Sequence, residues 1–79
     1  MNKHSITVYS TQTCPYCVLA KRYLTAKGVE YKDVDVGVDR AAAMEMVKKS
    51  GQMGVPVIEI DDKIVVGFRQ DVIDELLAS

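Results

Sequence analysis

Regular hydrophobic patterns divide the first half of the chain into three short segments separated by turn residues. Residues 5–9 alternate between apolar and polar positions and are rich in β-branched side chains, which is typical of a half-buried strand. Residues 15–27 repeat apolar positions with the helical period and end at Gly28, a residue suited to the left-handed position after a helix. Residues 29–36 alternate again and predict a second strand. Its alternation runs through Tyr31, Val34 and Val36.

The second half of the chain predicts a helix, a hairpin and a closing helix. Asp39 is a suitable N-cap for a helix over residues 39–51, because its carboxylate can accept hydrogen bonds from the first free amides. Residues 55–60 and 63–68 are two apolar runs joined by a short aspartate turn, a pattern typical of a hairpin. The last segment, residues 69–79, has the helical period. Its apolar face carries Val72, Ile73, Leu76 and Leu77.

The predicted order of elements, βαβαββα, places the chain in the α/β class. We expect a four-stranded mixed sheet flanked by three helices, with two helices on one face and one on the other. The first strand–helix–strand unit should be parallel, because its helix provides the crossover connection. With 79 residues the chain has room for one small core, so we predict a single domain over residues 1–79.

Composition and charge argue against several classes of function. The chain is 48% hydrophobic and 27% charged, with a net charge of −1, and it lacks the clustered basic excess that nucleic acids require. No segment approaches the ~20 apolar residues of a membrane span, and the N-terminal segment lacks the apolar run of a signal peptide. We therefore expect a cytoplasmic protein that binds neither nucleic acid nor membranes. We also expect a monomer, because so small a surface shows no obvious apolar patch.

Two cysteines, Cys14 and Cys17, are separated by two residues in the stretch TQTCPYCVLA. A disulfide across so short a loop removes little chain entropy and is a weak structural crosslink. A closed zinc site needs four ligands, and beyond this pair the chain offers only His4, at the far end of the first predicted strand. A C-x-x-C motif between a strand and a helix in a cytosolic protein favours thiol–disulfide exchange. We therefore predict a redox-active pair and no metal.

The predicted position of the pair at the start of the first helix gives each cysteine a different role. Cys14 should be exposed there, facing the unpaired amides of Tyr16 and Cys17 and the positive end of the helix dipole, which favour its thiolate. Cys17 should lie on the core side of the first turn. We therefore assign Cys14 as the nucleophile that attacks a substrate disulfide and Cys17 as the thiol that resolves the mixed disulfide.

Pro56 opens the predicted third strand, where two interpretations are possible. It can be a simple strand start, since proline is tolerated where its missing amide is not needed. Alternatively, it is a cis-proline packed against the cysteines, which leaves the backbone of Val55 free to pair with an extended substrate segment.

Three stretches, TCPYC, SGQMGVPVI and the segment of Gly67 before the last helix, resemble the glutaredoxin family, whose members have the thioredoxin-like fold. The resemblance covers essentially the whole chain and implies that Pro56 is cis. It also implies a glutathione groove lined by Cys14, Tyr16, Gln52, Val55 and Pro56. Gly67 and Asp71 are expected to complete the substrate-binding rim. We expect no bound cofactor, and glutathione as the reductant or a substrate.

Two positions depart from the glutaredoxin pattern. Thr11 stands three residues before Cys14, where glutaredoxins usually carry a lysine that meets a glutathione carboxylate. The stretch GFRQD replaces a Gly-Gly-(Ser/Cys)-Asp segment that holds the γ-glutamyl end, and it retains only Gly67 and Asp71. GFRQDVI is instead similar to the small redoxins that supply electrons to ribonucleotide reductase and are reduced by thioredoxin reductase. Phe68 within it either contacts a partner or packs under the last helix.

Three functions are compatible with this resemblance. The first is a thiol–disulfide oxidoreductase that reduces protein or glutathione mixed disulfides and is recycled by glutathione. The second is an electron carrier for a partner such as ribonucleotide reductase, recycled by thioredoxin reductase. The third, which the resemblance to other CPYC members disfavours, is a dimer that holds an iron–sulfur cluster through Cys14 of each chain and two glutathiones.

Overall fold

A computed structural model describes residues 4–78 and contains, within them, four strands and three helices in the predicted order. The elements are β1 (Ile6–Ser10), α1 (Pro15–Ala26), β2 (Lys32–Asp35), α2 (Arg40–Ser50), β3 (Val57–Ile60), β4 (Lys63–Val66) and α3 (Gln70–Leu77). The strands form one sheet in the order β2-β1-β3-β4, in which β1 and β2 are parallel and the other pairs are antiparallel. The predicted mixed sheet flanked by three helices is confirmed. None of these helices is long and apolar enough to cross a membrane.

Local sequence signals set where the two longer helices begin and end. α1 starts directly after its N-cap, Cys14, and is followed by Gly28 at a φ of 74°. The side chain of Asp39 caps α2 by accepting a hydrogen bond from the amide of Ala42 at 3.0 Å, and Gly51 ends this helix in the left-handed conformation. These boundaries agree with the sequence predictions, because each depends on one local residue type.

Two hydrophobic clusters pack against opposite faces of the sheet. The larger cluster joins the sheet to α1 and α3, and its buried members are Ile6, Val8, Ala20, Leu24, Ile58, Ile60, Val65 and Ile73. The smaller cluster joins the sheet to α2, and its buried members are Tyr9, Met46 and Val57. Alternate residues of β1 and β3 therefore enter different clusters, as the two-residue period of a strand requires. The predicted layering, with two helices on one face and one on the other, is confirmed.

The second strand is shorter than the sequence pattern predicts. β2 spans only Lys32–Asp35, and Tyr31 packs against the larger cluster, whereas Val34 and Val36 pack against the smaller one. An odd separation along an extended chain places residues 31 and 34 on opposite faces. The predicted alternation through Tyr31, Val34 and Val36 is therefore wrong at Tyr31.

His4 ties the start of β1 to the end of the described chain. Its Nδ1 lies 2.7 Å from Oδ2 of Asp61, and its Nε2 lies 3.0 Å from the backbone oxygen of Leu77. Both partner atoms are acceptors, so the contact is complete only when both ring nitrogens carry a proton. The hydrogen bond with Asp61 is the main cause that raises the pKa of His4 above its ordinary value of 6.5.

We expect the His4 contact to stabilise the fold at low pH and to be lost as the pH rises. A histidine whose pKa is raised by folding contributes its full stabilisation below the unfolded value of about 6.5, and loses it as the pH passes the folded value. Thermal unfolding from about pH 5 to about pH 9 should show a falling midpoint in the wild-type protein and a smaller fall in His4→Gln. Equal pH dependence in the two proteins would show that folding does not raise the pKa of His4.

Candidate functional site

The sulfur of Cys14 lies at the start of α1. Cys14 is the N-cap residue, and of the two amides predicted to face its Sγ, that of Cys17 donates a hydrogen bond, at 3.2 Å. Pro15 occupies the first helical turn, where its missing amide leaves no donor unsatisfied. A donated amide hydrogen bond and the positive end of the helix dipole both stabilise a thiolate more than a thiol. The position of Cys14 therefore suits a nucleophile.

Cys14 is half-buried and not exposed as predicted. Its Sγ lies 3.9 Å from the backbone oxygen of Val55, an acceptor for the thiol, in the loop that leads into β3. This loop covers one side of the sulfur, and the contact joins segments that are distant in sequence. A substrate disulfide must therefore reach Cys14 from the side that the loop leaves open.

Cys17 is completely buried, which confirms its predicted place on the core side of α1. Burial, followed by the hydrogen bond with Cys14, raises the pKa of Cys17 to about 11. A backbone hydrogen bond from Thr11 and the positive charge of Lys21 lower this pKa but do not offset the rise. Cys17 is therefore a protonated thiol at neutral pH. Both cysteines are free, and within residues 4–78 no three histidine, cysteine or acidic side chains converge to hold a metal ion.

The loop before β3 and the residue that follows β4 meet beside Cys14. The Val55–Pro56 peptide bond is cis, as the resemblance implies, and Pro56 is buried. The amide of Gly67 donates to the backbone oxygen of Pro56 at 2.8 Å. The φ of Gly67 is 85°, a conformation that favours glycine. Three hydrogen bonds and one peptide bond thus connect five of the predicted site residues, which are Cys14, Cys17, Val55, Pro56 and Gly67.

Within residues 4–78, the other three predicted site residues make no hydrogen bond to this connected group. Gln52 donates to the backbone oxygen of Gly54 and accepts from its amide, both at 2.9 Å, so its side chain braces the loop before Val55. Tyr16 is 64% exposed in the first turn of α1. Asp71 is exposed in the first turn of α3. Substrate contacts by these three residues remain predictions.

Phe68 packs into the protein. It is half-buried against the larger cluster, and its ring meets that of Tyr23 edge-on, with centroids 5.7 Å apart and an angle of 68° between the planes. Of its two predicted roles, the structure therefore supports packing. The ring joins α1 to the segment that leads into α3.

An acidic side chain stands near Thr11, where the resemblance leads us to expect a lysine. Asp35 at the end of β2 accepts a hydrogen bond from the amide of Gly37 at 2.8 Å. A Cβ atom at Gly37 would lie 3.0 Å from that carboxylate oxygen and 3.7 Å from Cγ2 of Thr11, so the three residues are close neighbours. The Asp35 carboxylate is negative, so it would repel a substrate carboxylate where a lysine would attract it.

Three further polar residues connect the end of β1 to α1. The hydroxyl of Ser10, a buried residue, donates to Oδ1 of Asp33 at 2.7 Å, and the ammonium of Lys21 donates to Oδ2 at 3.0 Å. Lys21 follows Cys17 by four residues, which places the two on one face of α1. That spacing is visible in the sequence, but Asp33 is identified as a partner only once β1 and β2 are paired.

Similarity to known proteins extends over most of the chain. A family model described as Glutaredoxin matches residues 6–65. The chain is 47% identical to a glutaredoxin-like protein in a rubredoxin operon of Clostridium pasteurianum, over 91% of this chain and 96% of that protein. It is 38% identical to glutaredoxin 3 of Escherichia coli strain K12, over 80% of this chain and 76% of that protein.

The solved structure of NrdH-redoxin from Escherichia coli is also similar to this chain. It is described as a glutaredoxin-like protein with a thioredoxin-like activity profile. The TM-score is 0.80 at 29% identity, over 91% of this chain and 93% of that one. The thioredoxin-like fold that the resemblance implies is confirmed.

Proposed function

Because this chain belongs to the glutaredoxin family, we propose that it reduces protein disulfides and glutathione mixed disulfides through the dithiol of Cys14 and Cys17. The observation that carries the proposal is the hydrogen bond from the amide of Cys17 to Sγ of Cys14, at 3.2 Å. This bond holds the sulfur of Cys14 at the N-terminus of α1. The thiol of Cys17 lies three residues later, in the first turn of the same helix. Dithiol exchange requires this arrangement of a stabilised thiolate and a nearby resolving thiol.

The proposed exchange has two steps, in which electrons pass from the dithiol to the substrate. The Cys14 thiolate attacks one sulfur of the substrate disulfide, the S–S bond breaks, and the other sulfur leaves as a thiolate that takes a proton from solvent. Cys17 then loses its proton to solvent and attacks Sγ of Cys14. The second substrate thiolate leaves, and the protein retains a Cys14–Cys17 disulfide. One substrate disulfide is reduced to two thiols, and the protein dithiol is oxidised.

The loop of Val55 offers a place for an extended substrate backbone beside the nucleophile. The backbone oxygen of Val55 lies 3.9 Å from the sulfur of Cys14, so a segment that pairs with Val55 brings its own sulfur close to Cys14. Tyr16, Gly67 and Asp71 complete the proposed rim. Glutathione is then the reductant, and the protein acts as a cytoplasmic monomer without a bound cofactor.

A second candidate function is an electron carrier that thioredoxin reductase recycles and that serves a partner such as ribonucleotide reductase. The carboxylate of Asp35 near Thr11 favours it, because this acid would repel a glutathione carboxylate where a lysine is expected. The similarity to NrdH-redoxin, with its thioredoxin-like activity profile, supports the same candidate.

Recycling of the oxidised protein by two NADPH-dependent systems separates these candidates. We expect glutathione with glutathione reductase to reduce the Cys14–Cys17 disulfide, measured as NADPH consumption with a disulfide substrate in excess. Cys14→Ser serves as the control, because it lacks the nucleophile. If thioredoxin reductase sustains turnover and glutathione does not, the glutathione-dependent function is wrong and the second candidate replaces it.

A further inference from the structure

We propose that Lys21, held by Asp33 and Ser10, is a positioning residue for the second step of exchange, in which it stabilises the Cys17 thiolate. The inference rests on the proposed two-step function and assigns a role to residues outside the predicted site. Cys17 is completely buried. A buried thiol resists ionisation, yet only a thiolate can attack the mixed disulfide.

The helical spacing brings Lys21 onto the face of α1 that carries Cys17. Side chains four residues apart are neighbours across one turn. Burial raises the pKa of Cys17, and the backbone hydrogen bond of Thr11 and, to a smaller extent, the positive charge of Lys21 oppose that rise. The pKa of Lys21 is itself raised, first by its hydrogen bond with Asp33 and further by the charge of Asp33, although burial opposes this rise. Lys21 therefore stays protonated and acts on Cys17 through its charge.

A hydrogen bond to Asp33 holds Lys21 in this place, and a second hydrogen bond, from Ser10, holds Asp33. Asp33 accepts from the ammonium at 3.0 Å through Oδ2 and from the Ser10 hydroxyl at 2.7 Å through Oδ1. Ser10 is buried at the end of β1, so the cation is fixed to the sheet as well as to its own helix. The Lys21 side chain is 25% exposed, and its charge is therefore less screened than that of a fully exposed lysine.

The effect of Lys21 should be greatest once the mixed disulfide has formed. In the reduced protein, burial is the main cause that raises the pKa of Cys17, and the hydrogen bond and charge of Cys14 add to it. Cys14 carries no charge after its sulfur bonds to the substrate. Burial then opposes ionisation of Cys17, while the backbone hydrogen bond of Thr11 and the charge of Lys21 favour it. The Cys17 proton leaves to solvent, the thiolate attacks Sγ of Cys14, and the substrate sulfur departs with the electron pair of the broken bond.

One equivalent of dithiobis(nitrobenzoate) added to the reduced protein separates the two steps, because each releases one coloured thiolate. The first release reports attack by Cys14, and the second reports attack by Cys17 on the mixed disulfide. We expect Lys21→Met to slow the second release about three- to tenfold at neutral pH, since one pKa unit changes the thiolate fraction tenfold. The pH profile of the second release should move to higher pH, and Lys21→Arg should restore the wild-type profile.

Lys27→Met is the matched control, because Lys27 forms an ion pair with Asp74 at 2.8 Å, at the other end of α1. This variant should change neither release. If Lys21→Met and Lys27→Met have the same second-release profile, Lys21 is only a structural ion pair and the inference is wrong. If the first release is absent, or if Cys17→Ser releases both thiolates, the proposed two-step function fails instead.

Discussion

Replacing Cys14 with serine is expected to abolish disulfide exchange, with a loss on the order of a thousandfold or more in the rate of substrate reduction. A serine hydroxyl is not ionised at neutral pH, so the amide of Cys17 would have no thiolate to stabilise. The fold should persist, because serine is a favourable N-cap residue for α1. The rate is measured as NADPH consumption in the recycling assay, and circular dichroism checks that the variant is folded.

The Cys17→Ser variant provides the complementary control. Its Cys14 nucleophile is intact, so attack should proceed, but no internal thiol remains to resolve the mixed disulfide. We expect this intermediate to accumulate, with one substrate thiol attached, and mass spectrometry detects the added mass. If Cys14→Ser remains active while Cys17→Ser does not, the roles of the two cysteines are the reverse of those assigned here.

The order of elements and the position of the redox pair are predictable because they depend on residues close together in sequence. Asp39 and Gly51 mark the ends of α2 through their own capping chemistry. Both cysteines belong to the N-cap and first turn of a single helix, so the helix geometry alone brings the amide of Cys17 to the sulfur of Cys14. The helical period likewise predicts that Cys17 lies on the core side of α1.

The surroundings of the pair depend on contacts between distant segments, and the sequence pattern does not reveal them. Val55 half-covers Cys14 from a different loop, and Asp35 lies beside Thr11 only because β1 and β2 are neighbours. Gln52 also makes a contact that the motif resemblance does not reveal, because its side-chain amide holds the backbone of Gly54. Its expected place in a substrate groove stays a prediction.

The second large effect is expected on stability, from a residue that packs α1 against the sheet. Leu24 is completely buried in the larger cluster and shares a helical face with Cys17, seven residues earlier. Leu24→Ala removes buried carbon atoms and leaves a cavity, so the free energy of unfolding should fall by about 2–5 kcal/mol. The total free energy of unfolding expected for a chain of 79 residues is about 4–12 kcal/mol. The substitution therefore removes a large fraction of the stability.

Urea unfolding measures this loss, and Leu19→Ala is the matched control on the same helix. Leu19 is 43% exposed, so its replacement should change the free energy of unfolding by no more than about 1 kcal/mol. Equal losses in the two variants would show that α1 does not pack through the face of Leu24. Leu24 lies two turns from Cys17, so folded molecules of Leu24→Ala should keep their exchange activity. The exchange activity of Leu24→Ala should therefore decline with urea in parallel with its folded fraction. This result is expected of a residue that stabilises α1 and takes no part in the exchange.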